Sequence, residues 1–414
     1  MVLSKLGIIC ALGNGPEQVW QSAIEGSRRG MRKCLLTVHG GQLQIAGQVD
    51  DTVLTPLSKF PDNMATRNNQ LVAAAFEQIA TQVDQLKQRF GSDRIGVIIG
   101  SSTSGIREGE AALAQYQQNQ MLPESFHYSM QEMYAPAAFI AQLAGVDGPS
   151  YSISTACSSS ARALMSARAM LRSELVDAVI VGGVDSLCRL TLNGFSALES
   201  VASKYCHPFS RNRDGINIGE GAALFIATRE PIDLTQPQVI LSGAGHSSDA
   251  YHMTAPEPEG RGAVMAIQTA LADAGIEAAQ LDYINLHGTG TPLNDSMESN
   301  AINAIGADQV TASSTKAVTG HTLGAAGAIE AAICWLTLRA NSGARPLHVW
   351  DGQLDPGITP INLYHTATEE LTPVHHCLSN SFAFGGNNVA LVFSKQTSLR
   401  NLVNAEAYTT AECI

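Results

Sequence analysis

The sequence predicts an α/β protein built from two related halves, and three observations lead to this prediction. The chain has 414 residues, which is more than one compact core usually contains. Between residues 94 and 182, strand-like apolar runs flank a helix-like segment rich in small residues, as in a βαβ unit. The same order of strand end, polar loop and small-residue helix recurs between residues 283 and 338. We therefore expect each half to carry one reactive segment at the end of a strand.

The first half contains the clearer strand signals. The segment 94–100 is apolar and bounded by glycines, which is typical of a buried parallel strand. The segment 158–172 is rich in Ala and Ser, which predicts a helix that can pack closely on both sides. The remaining predicted elements are helices over 16–25 and 67–89 and strands over 150–154 and 177–182.

The second half is predicted to repeat this arrangement. Short strands are expected over 283–287 and 310–314, a second small-residue helix over 323–338, and a strand pair over 376–381 and 388–393 around a glycine turn. We place the boundary near residue 240, next to the proline-containing linker 229–238. The predicted units are an N-terminal half over 1–240, a C-terminal half over 241–395, and a tail over 396–414 that is disordered or helical.

Charge and composition exclude several classes of function. Lys and Arg number 25 against 37 Asp and Glu, and a net charge of −12 disfavours nucleic-acid binding. No apolar run is long enough to span a bilayer, and the N-terminus lacks the order of a signal peptide, so we expect a cytoplasmic protein without a membrane partner. The eight cysteines form no CxxC pair, which argues against a disulfide framework and a zinc site. We expect no metal and no nicotinamide or flavin cofactor.

One cysteine has a position that suggests chemistry. Cys157 lies where a predicted strand runs directly into a predicted helix. The positive end of the helix dipole there would stabilise a thiolate, and nearby backbone N–H groups could bind an oxyanion. A buried structural cysteine is the commoner fate of a single Cys. The strand–helix junction and the small flanking residues favour a nucleophile.

Two histidines occupy similar places in the second half. His287 ends a predicted strand before a Gly/Thr loop, and His321 begins the second small-residue helix, where the dipole favours a neutral imidazole. Alone, each could be a solvent-facing loop histidine. Glu330 lies inside the same helix and needs a partner there; Lys316 is the candidate, and a purely structural ion pair is the alternative interpretation.

These segments together resemble the elongating, malonyl-decarboxylating β-ketoacyl-acyl-carrier-protein synthases. The similarity extends over nearly the whole chain except the tail. One such segment alone would be weak evidence for the family, but the occurrence of all of them in the family's order is specific evidence. The matching segments are TACS at 155–158, HGTGTP at 287–292 with Asp295 and Glu298, STK at 314–316 followed by Gly320 and His321, and NSFAFGG at 380–386.

The resemblance implies a thiolase-like fold, with two pseudo-duplicated halves in alternating helix and sheet layers (αβαβα). It also implies a division of labour. Cys157 would accept the acyl chain as a thioester, while His287 and His321 would promote loss of carbon dioxide from a malonyl thioester. Lys316, Glu330 and Asp295 would order the histidines. The N–H groups of Cys157 and Phe384 would form the oxyanion hole, and Phe384 would also gate the acyl pocket.

The resemblance further implies how substrates arrive. They would be carried on the phosphopantetheine arm of an acyl carrier protein, and the enzyme would act as a homodimer or as a heterodimer with a related chain-length subunit. The residues implied for these contacts are Thr254, Thr289 and Thr291 along the arm and Thr103, Phe195 and Phe382 around the acyl pocket. Because such carriers and this chain are both acidic, docking needs a local basic patch, for which Arg67, Arg211 and Arg213 are the candidates.

Some features set the chain apart from the common fatty-acid enzymes. Thr103 stands where a larger apolar residue often closes the pocket in those enzymes. The segment INIGEG at 216–221 differs from the form of this segment that is more usual there, which contains an aromatic residue or valine. These features are more similar to synthases of polyene pathways, including aryl polyene clusters. Degradative thiolases are disfavoured because the NSFAFGG segment contains no cysteine, and the initiating synthases because His321 follows Lys316 in this chain. A non-catalytic chain-length subunit is the alternative of a different class, although such subunits usually replace the nucleophile.

Overall fold

The computed structural model describes residues 1–36, 41, 43–233, 237–340, 342–366 and 372–396. Eleven strands form one mixed sheet, and two further short strands, β3 and β4, pair with each other. The strands are β1 (Val2–Cys10), β2 (Gly13–Asn14), β3 (Met31–Lys33), β4 (Ile45–Gly47), β5 (Ile95–Gly100), β6 (Ser150–Ile153), β7 (Ala178–Asp185), β8 (Gly221–Thr228), β9 (Gln238–Ser248), β10 (Tyr283–Asn285), β11 (Ala312–Ser313), β12 (His376–Ala383) and β13 (Asn387–Gln396).

The helices of the described residues lie between and outside the strands. Short 3₁₀ turns connect several of them, including one over Leu323–Ala325. The helices are α1 (Pro16–Glu25), α2 (Arg67–Glu77), α3 (Ala80–Phe90), α4 (Ile106–Asn119), α5 (Ala135–Ala144), α6 (Ser159–Arg172), α7 (Arg189–Ala197), α8 (Arg261–Ala274), α9 (Pro292–Ala304), α10 (Lys316–Thr319) and α11 (Ala326–Arg339).

The strand order confirms that the two halves are related. The N-terminal part of the sheet runs β6-β5-β7-β8-β1 and the C-terminal part runs β11-β10-β12-β13-β9. If the five strands of each half are numbered 1 to 5 along the chain, leaving out β2 to β4, both halves have the strand order 3-2-4-5-1. The parallel and antiparallel pairings also correspond strand by strand. A short pairing of Val2 and Leu3 with Ile240 and Val239 joins the two parts into one sheet.

Side chains on the two faces of each half-sheet enter different cores, because successive residues of a strand point to opposite faces. On β5, Ile98 joins a central core with α6 and α11, whereas Val97 and Ile99 join an outer core with α2, α3 and α5. On β13, Leu391 belongs to the central core and Val392 to an outer core with α8 and α9. The expected αβαβα layering is therefore confirmed, with α6 and α11 in the central layer.

Small residues allow the two central helices to touch. A Cβ added to Gly327 of α11 would lie 2.7 Å from the backbone nitrogen of Ala161 in α6. The Ser160 hydroxyl also accepts the N–H of Ala328 at 2.8 Å. The first turns of α6 and α11 consequently lie side by side.

Two predicted boundaries, those of the helix over 67–89 and of the tail, differ from the structure. The helix predicted over 67–89 is two helices, α2 and α3, because the Gln78 side chain between them bonds the backbone N–H and C=O of Ile8. Gln396, assigned to the tail, is the last residue of β13, and 397–414 lie outside the described residues. The boundary near residue 240 falls at the start of β9 and stays a prediction.

Arg67 corrects one prediction of the sequence analysis. Its side chain is only 8% exposed at the start of α2, and its guanidinium pairs with the buried Glu220 at 2.7 Å and with Asp51. Glu220 also accepts the N–H of Val49 at 3.1 Å. The assignment of Arg67 to a carrier-docking surface is wrong, because its buried guanidinium is paired with the buried Glu220 and the exposed Asp51 and presents no free charge to a partner.

We predict that Arg67→Met destabilises the fold by about 3–5 kcal/mol, because it leaves the Glu220 carboxylate buried without its cation. The measurement is the free energy of unfolding in urea. Arg32→Met is the matched control, since Arg32 lies 3.9 Å from Asp50 on the surface and its loss should change little. Equal unfolding midpoints for wild type and Arg67→Met would contradict the assignment.

Candidate active site

The turn that carries Cys157 has the strand-to-helix form that the sequence predicted. β6 ends at Ile153, α6 begins at Ser159, and Ala156 between them has a φ of 52°. This left-handed conformation costs an alanine roughly 1–2 kcal/mol. The Ser159 hydroxyl offsets the cost, because it accepts the Thr155 N–H at 2.9 Å and donates to the Ala156 carbonyl. The turn directs the Cys157 sulfur away from the central core and into a cavity.

His321 lies directly against the nucleophile. Its Nε2 is 3.0 Å from the Cys157 sulfur, and its Nδ1 accepts the Leu323 N–H at 3.2 Å. A backbone N–H can only donate, so Nδ1 carries no proton and Nε2 must carry it. The neutral His321 ring therefore donates toward the sulfur and toward anything bound beside it.

His287 reaches the same place from the end of β10. Its ring centre is 5.4 Å from that of His321, with the two planes at 86°. The Lys316 ammonium lies 3.4 Å from His287 Nδ1 and also donates to the His287 carbonyl. An ammonium has no acceptor, so Nδ1 is again the bare nitrogen and Nε2 carries the proton. The two histidines thus offer two N–H donors in one place.

Burial keeps both rings neutral. Loss of hydration lowers the pKa of His287 and of His321 well below the ordinary value of 6.5, and the positive charge of Lys316 lowers each pKa further. Both imidazoles are therefore uncharged hydrogen-bond donors at neutral pH, as the sequence predicted for His321.

The state of Cys157 differs from the sequence expectation. The position at a helix start predicts a stabilised thiolate, but burial is the larger effect and raises the pKa of the thiol to about 12. Lys316 and a hydrogen bond from the Phe384 N–H act in the opposite direction. The cysteine is therefore a thiol at rest. Because the Phe384 N–H points at the sulfur, it is well placed for an oxyanion formed on a thioester at that sulfur.

Lys316 and Glu330 form the pair that the sequence suggested. Their side chains are 2% and 4% exposed, and the ammonium donates to one Glu330 oxygen. Burial raises the pKa of Glu330 to about 7, while the lysine charge pulls the pKa down. Since the same ammonium contacts His287, this ion pair is both a core contact and a support for the histidine.

Asp295 does not have the role expected for it. Its carboxylate accepts the N–H of Phe209 at 2.8 Å and of Gly290 at about 3.1 Å, and the described contacts include none to either histidine ring. It shapes the loop after His287. The residue that holds His287 is Glu298, which accepts the N–H of His287 at 2.8 Å and of Gly288 at 2.7 Å. The motif contained Glu298, but the sequence does not show which carboxylate faces the histidine.

The three reactive residues line a cavity of about 330 Å³. The Phe195 and Phe384 rings pack against each other in its wall with their centres 5.6 Å apart, and the hydroxyls of Thr289 and Thr291 lie 2.9 Å apart. All but one of the predicted substrate-binding residues line this cavity, namely Phe195, Thr254, Thr289, Thr291 and Phe382. The predicted gate residue Phe384 lines it too.

The exception is Thr103. It is fully buried, it does not line this cavity, and its hydroxyl and N–H both donate to Asp185 at 2.8 Å. Asp185 also accepts the N–H of Gly324 at 2.6 Å, so it ties the segment after β5 to the start of α11. The prediction that Thr103 bounds the acyl pocket is therefore wrong for this cavity. No motif in the sequence indicates the role of Asp185.

The other two arginines assigned to carrier docking differ from each other. Arg213 is 9% exposed in its side chain and pairs with Asp355, which makes it a structural residue rather than a docking residue. Arg211 is exposed, and its role stays a prediction.

Cys157, His287 and His321 could also be considered as ligands of a metal ion, since the sulfur and one nitrogen of each ring all lie within 4.8 Å of one another. Sulfur and imidazole nitrogen are ligands that zinc accepts. The Lys316 ammonium, however, contacts His287, and its charge opposes a second cation there. We assign no metal to the cluster, and the expectations of no metal and no resident cofactor stay predictions.

Comparisons with known proteins agree with this geometry. Residues 6–231 match the family model described as beta-ketoacyl synthase, N-terminal domain, and residues 239–349 match its C-terminal domain. The 3-oxoacyl-[acyl-carrier-protein] synthase 2 of Staphylococcus aureus strain COL is 30% identical over 95% of this chain and 98% of its own length. The protein of that name from Vibrio harveyi is also 30% identical, with the same coverage.

Solved structures give the same result. A ketosynthase (ApeO) in complex with its chain length factor (ApeC) from Xenorhabdus doucetiae is 42% identical, with a TM-score of 0.88 over 95% of this chain and 97% of that one. The ishigamide ketosynthase/chain length factor is 26% identical, with a TM-score of 0.83 over 95% and 98%.

No helix in the described parts of the chain has the length and apolar character needed to cross a membrane.

The fold, the paired family models and the full-length relatives lead to one conclusion: the chain belongs to the β-ketoacyl synthase family, whose members are acyltransferases.

Proposed function

We propose that this chain is a catalytic ketosynthase subunit that joins an acyl group held on Cys157 to a malonyl unit held on an acyl carrier protein. The observation that carries the proposal is the contact of the Cys157 sulfur with His321 Nε2 at 3.0 Å, in a cavity shared with His287. A nucleophile and two neutral N–H donors in one enclosed space are what a decarboxylative condensation requires.

The first half-reaction transfers the acyl group. The Cys157 sulfur attacks the thioester carbonyl of the acyl carrier, a new C–S bond forms, and the phosphopantetheine thiol leaves with the thiol proton. The high pKa of Cys157 means that proton loss accompanies the attack rather than preceding it. The N–H groups of Phe384 and Cys157 stabilise the transient oxyanion.

The second half-reaction forms the carbon–carbon bond. The malonyl thioester loses carbon dioxide, and its carbonyl oxygen becomes an enolate that accepts the Nε2–H donors of His287 and His321. The enolate carbon then attacks the Cys157 thioester, and the Cys157 thiolate leaves and takes up one proton from solvent, which restores the resting thiol. The product is a β-ketoacyl-carrier protein that is longer by two carbons. Neutral histidines suit this role because they stabilise the enolate oxygen without protonating its carbon.

The polar wall of the cavity supports delivery of the substrate by a phosphopantetheine arm. Thr254, Thr289 and Thr291 supply hydroxyls on one side, whereas Phe195 and Phe384 supply an apolar side for the acyl chain. The relatives from Staphylococcus aureus and Vibrio harveyi are likewise named as synthases that act on an acyl carrier protein.

The pathway and the partner subunit are inferred from similarity. The 42% identical ketosynthase was solved in complex with its chain length factor. The 26% identical structure is likewise one of a ketosynthase and a chain length factor, those of ishigamide. We infer that this chain forms a heterodimer with a chain-length subunit in a polyene pathway, of the aryl polyene type. A role as the non-catalytic subunit is disfavoured, because Cys157, His287, His321 and Lys316 are all present and in contact.

We predict that Cys157→Ala abolishes condensation. Incubation of the wild type with an acyl carrier should add the mass of the acyl group to the peptide containing Cys157, and the variant should gain none. Cys10→Ala is the matched control, because Cys10 is equally buried but does not line the cavity. Loss of the adduct in the control, or normal turnover of Cys157→Ala, would contradict the assignment.

We predict that His287→Ala and His321→Ala acylate Cys157 but release carbon dioxide from malonyl-carrier about 10²–10³ more slowly, since each removes one donor to the enolate. His321 donates to the sulfur and takes no proton from it, so acyl transfer should survive. His376→Ala is a control, because the ring of His376 in β12 bonds Ser394 in β13 and does not line the cavity. Slower acylation with normal decarboxylation would reverse the roles.

We predict that Lys316→Met loses both stability and decarboxylation. Breaking the buried pair with Glu330 should cost about 3–5 kcal/mol in the free energy of unfolding. The double variant Lys316→Met/Glu330→Leu should regain stability but not activity, because His287 still lacks its charged partner. Recovery of decarboxylation in the double variant would show that the ion pair is only structural.

A further inference from the structure

His348 lies outside the cavity, in the irregular segment between α11 and β12. It is 2% exposed, and its backbone N–H donates to the Tyr364 carbonyl at 2.6 Å. The rings of Phe209 and Trp350 flank its imidazole at 6.0 and 5.6 Å. A histidine enclosed in this way has one ring orientation and a small set of partners.

Both ring nitrogens of His348 are occupied by backbone groups from different segments. Nδ1 lies 3.1 Å from the Ser314 nitrogen and accepts its N–H. Nε2 lies 3.0 Å from the Pro208 carbonyl, which can only accept, so Nε2 carries the proton. Burial lowers the pKa of His348 to about 4, so the ring stays neutral and keeps this pattern at neutral pH. The ring is thus a fixed link between Ser314 and Pro208.

Ser314 connects His348 to the catalytic residues. Its hydroxyl donates to the Gly288 carbonyl at 2.6 Å and accepts the Lys316 N–H at 3.3 Å. Gly288 follows His287 directly. A displacement of Ser314 would therefore move both ends of the Lys316–His287 contact.

Pro208 connects His348 to the other side of the same loop. The next residue, Phe209, donates its N–H to Asp295 at 2.8 Å, and Asp295 accepts the Gly290 N–H at about 3.1 Å. The segment from His287 to Gly290 is consequently held at both ends by chains of hydrogen bonds that meet at one imidazole.

We propose that His348 is a positioning residue for decarboxylation, holding Lys316 and His287 in register through Ser314. The inference rests on the proposed function, in which that pair stabilises the enolate. Its contribution should appear in the decarboxylation rate and not in acyl transfer, because Cys157, Phe384 and His321 are held by other contacts. Misplacement by about 1 Å can reduce a rate by up to roughly 10²-fold.

The test compares His348→Leu with His348→Asn. Leucine removes both hydrogen bonds, whereas the Asn carbonyl oxygen can replace Nδ1 as acceptor of the Ser314 N–H without reaching Pro208. The measured quantities are the rate of Cys157 acylation by an acyl-carrier protein, and kcat and KM for carbon dioxide release from malonyl-carrier. His365→Leu is the matched control, because His365 packs on the same Trp350 ring but bonds neither Ser314 nor Pro208.

We expect His348→Leu to lower kcat for decarboxylation by about 10- to 10²-fold, with acylation changed less than about twofold and His365→Leu unaffected. His348→Asn should retain most of the rate. If His348→Leu fails to fold, Ser314→Ala takes its place, since it removes the hydroxyl that links Gly288 to Lys316. Ser314→Ala combined with His348→Asn should then be no slower than Ser314→Ala alone.

Equal losses in acylation and decarboxylation, or wild-type rates in His348→Leu, would overturn the inference. So would a Ser314→Ala variant that releases carbon dioxide from malonyl-carrier at the wild-type rate. A wild-type protein that neither acylates Cys157 nor releases carbon dioxide would instead refute the proposed function, so the two failures are distinguishable.

Discussion

The close contact of α6 with α11 is the constraint on which the rest of the site depends. Glycine and alanine at the contact let two helices from different halves share the central layer. Each helix follows a parallel strand of its own half-sheet, so the shared layer brings the ends of β6 and β11 together. Cys157 precedes α6 and His321 precedes α11, and their 3.0 Å contact follows from this packing. A Cβ at Gly327 would lie 2.7 Å from the Ala161 backbone nitrogen, so the two helices could not pack this closely.

A second consequence of this packing is a dry site. The central layer excludes water from Cys157, both histidines and the Lys316–Glu330 pair, and this exclusion sets their protonation states. It keeps the histidines neutral and the cysteine a thiol, and it leaves the buried Lys316 ammonium, which contacts His287, to orient that ring. The fold therefore fixes which nitrogen of each ring carries the proton before substrate enters. In such an environment hydrogen bonds to a developing oxyanion are stronger than in water.

Local sequence signals predicted most of this arrangement, and long-range contacts account for the rest. Cys157, His287 and His321 stand at strand–helix or strand–loop junctions, which are visible as an apolar run followed by small residues. Arg67 and Thr103 were misassigned because their partners, Glu220 and Asp185, lie 153 and 82 residues away along the chain. The predicted helix over 67–89 is interrupted for the same kind of reason, since Gln78 bonds the distant strand β1. His348 has no motif, and only the coordinates show that Ser314 and Pro208 meet at its ring.

The most direct test of this account is the protonation state of the two active-site histidines in the resting enzyme. Protein labelled with ¹⁵N-histidine, with ring signals assigned from single histidine variants, reports the state of each nitrogen by NMR. At about pH 6, below the ordinary histidine pKa of about 6.5, we expect His287 and His321 to remain neutral with the proton on Nε2. A doubly protonated ring, or a proton on Nδ1, at either residue would contradict the claim that the fold presets two neutral donors beside Cys157.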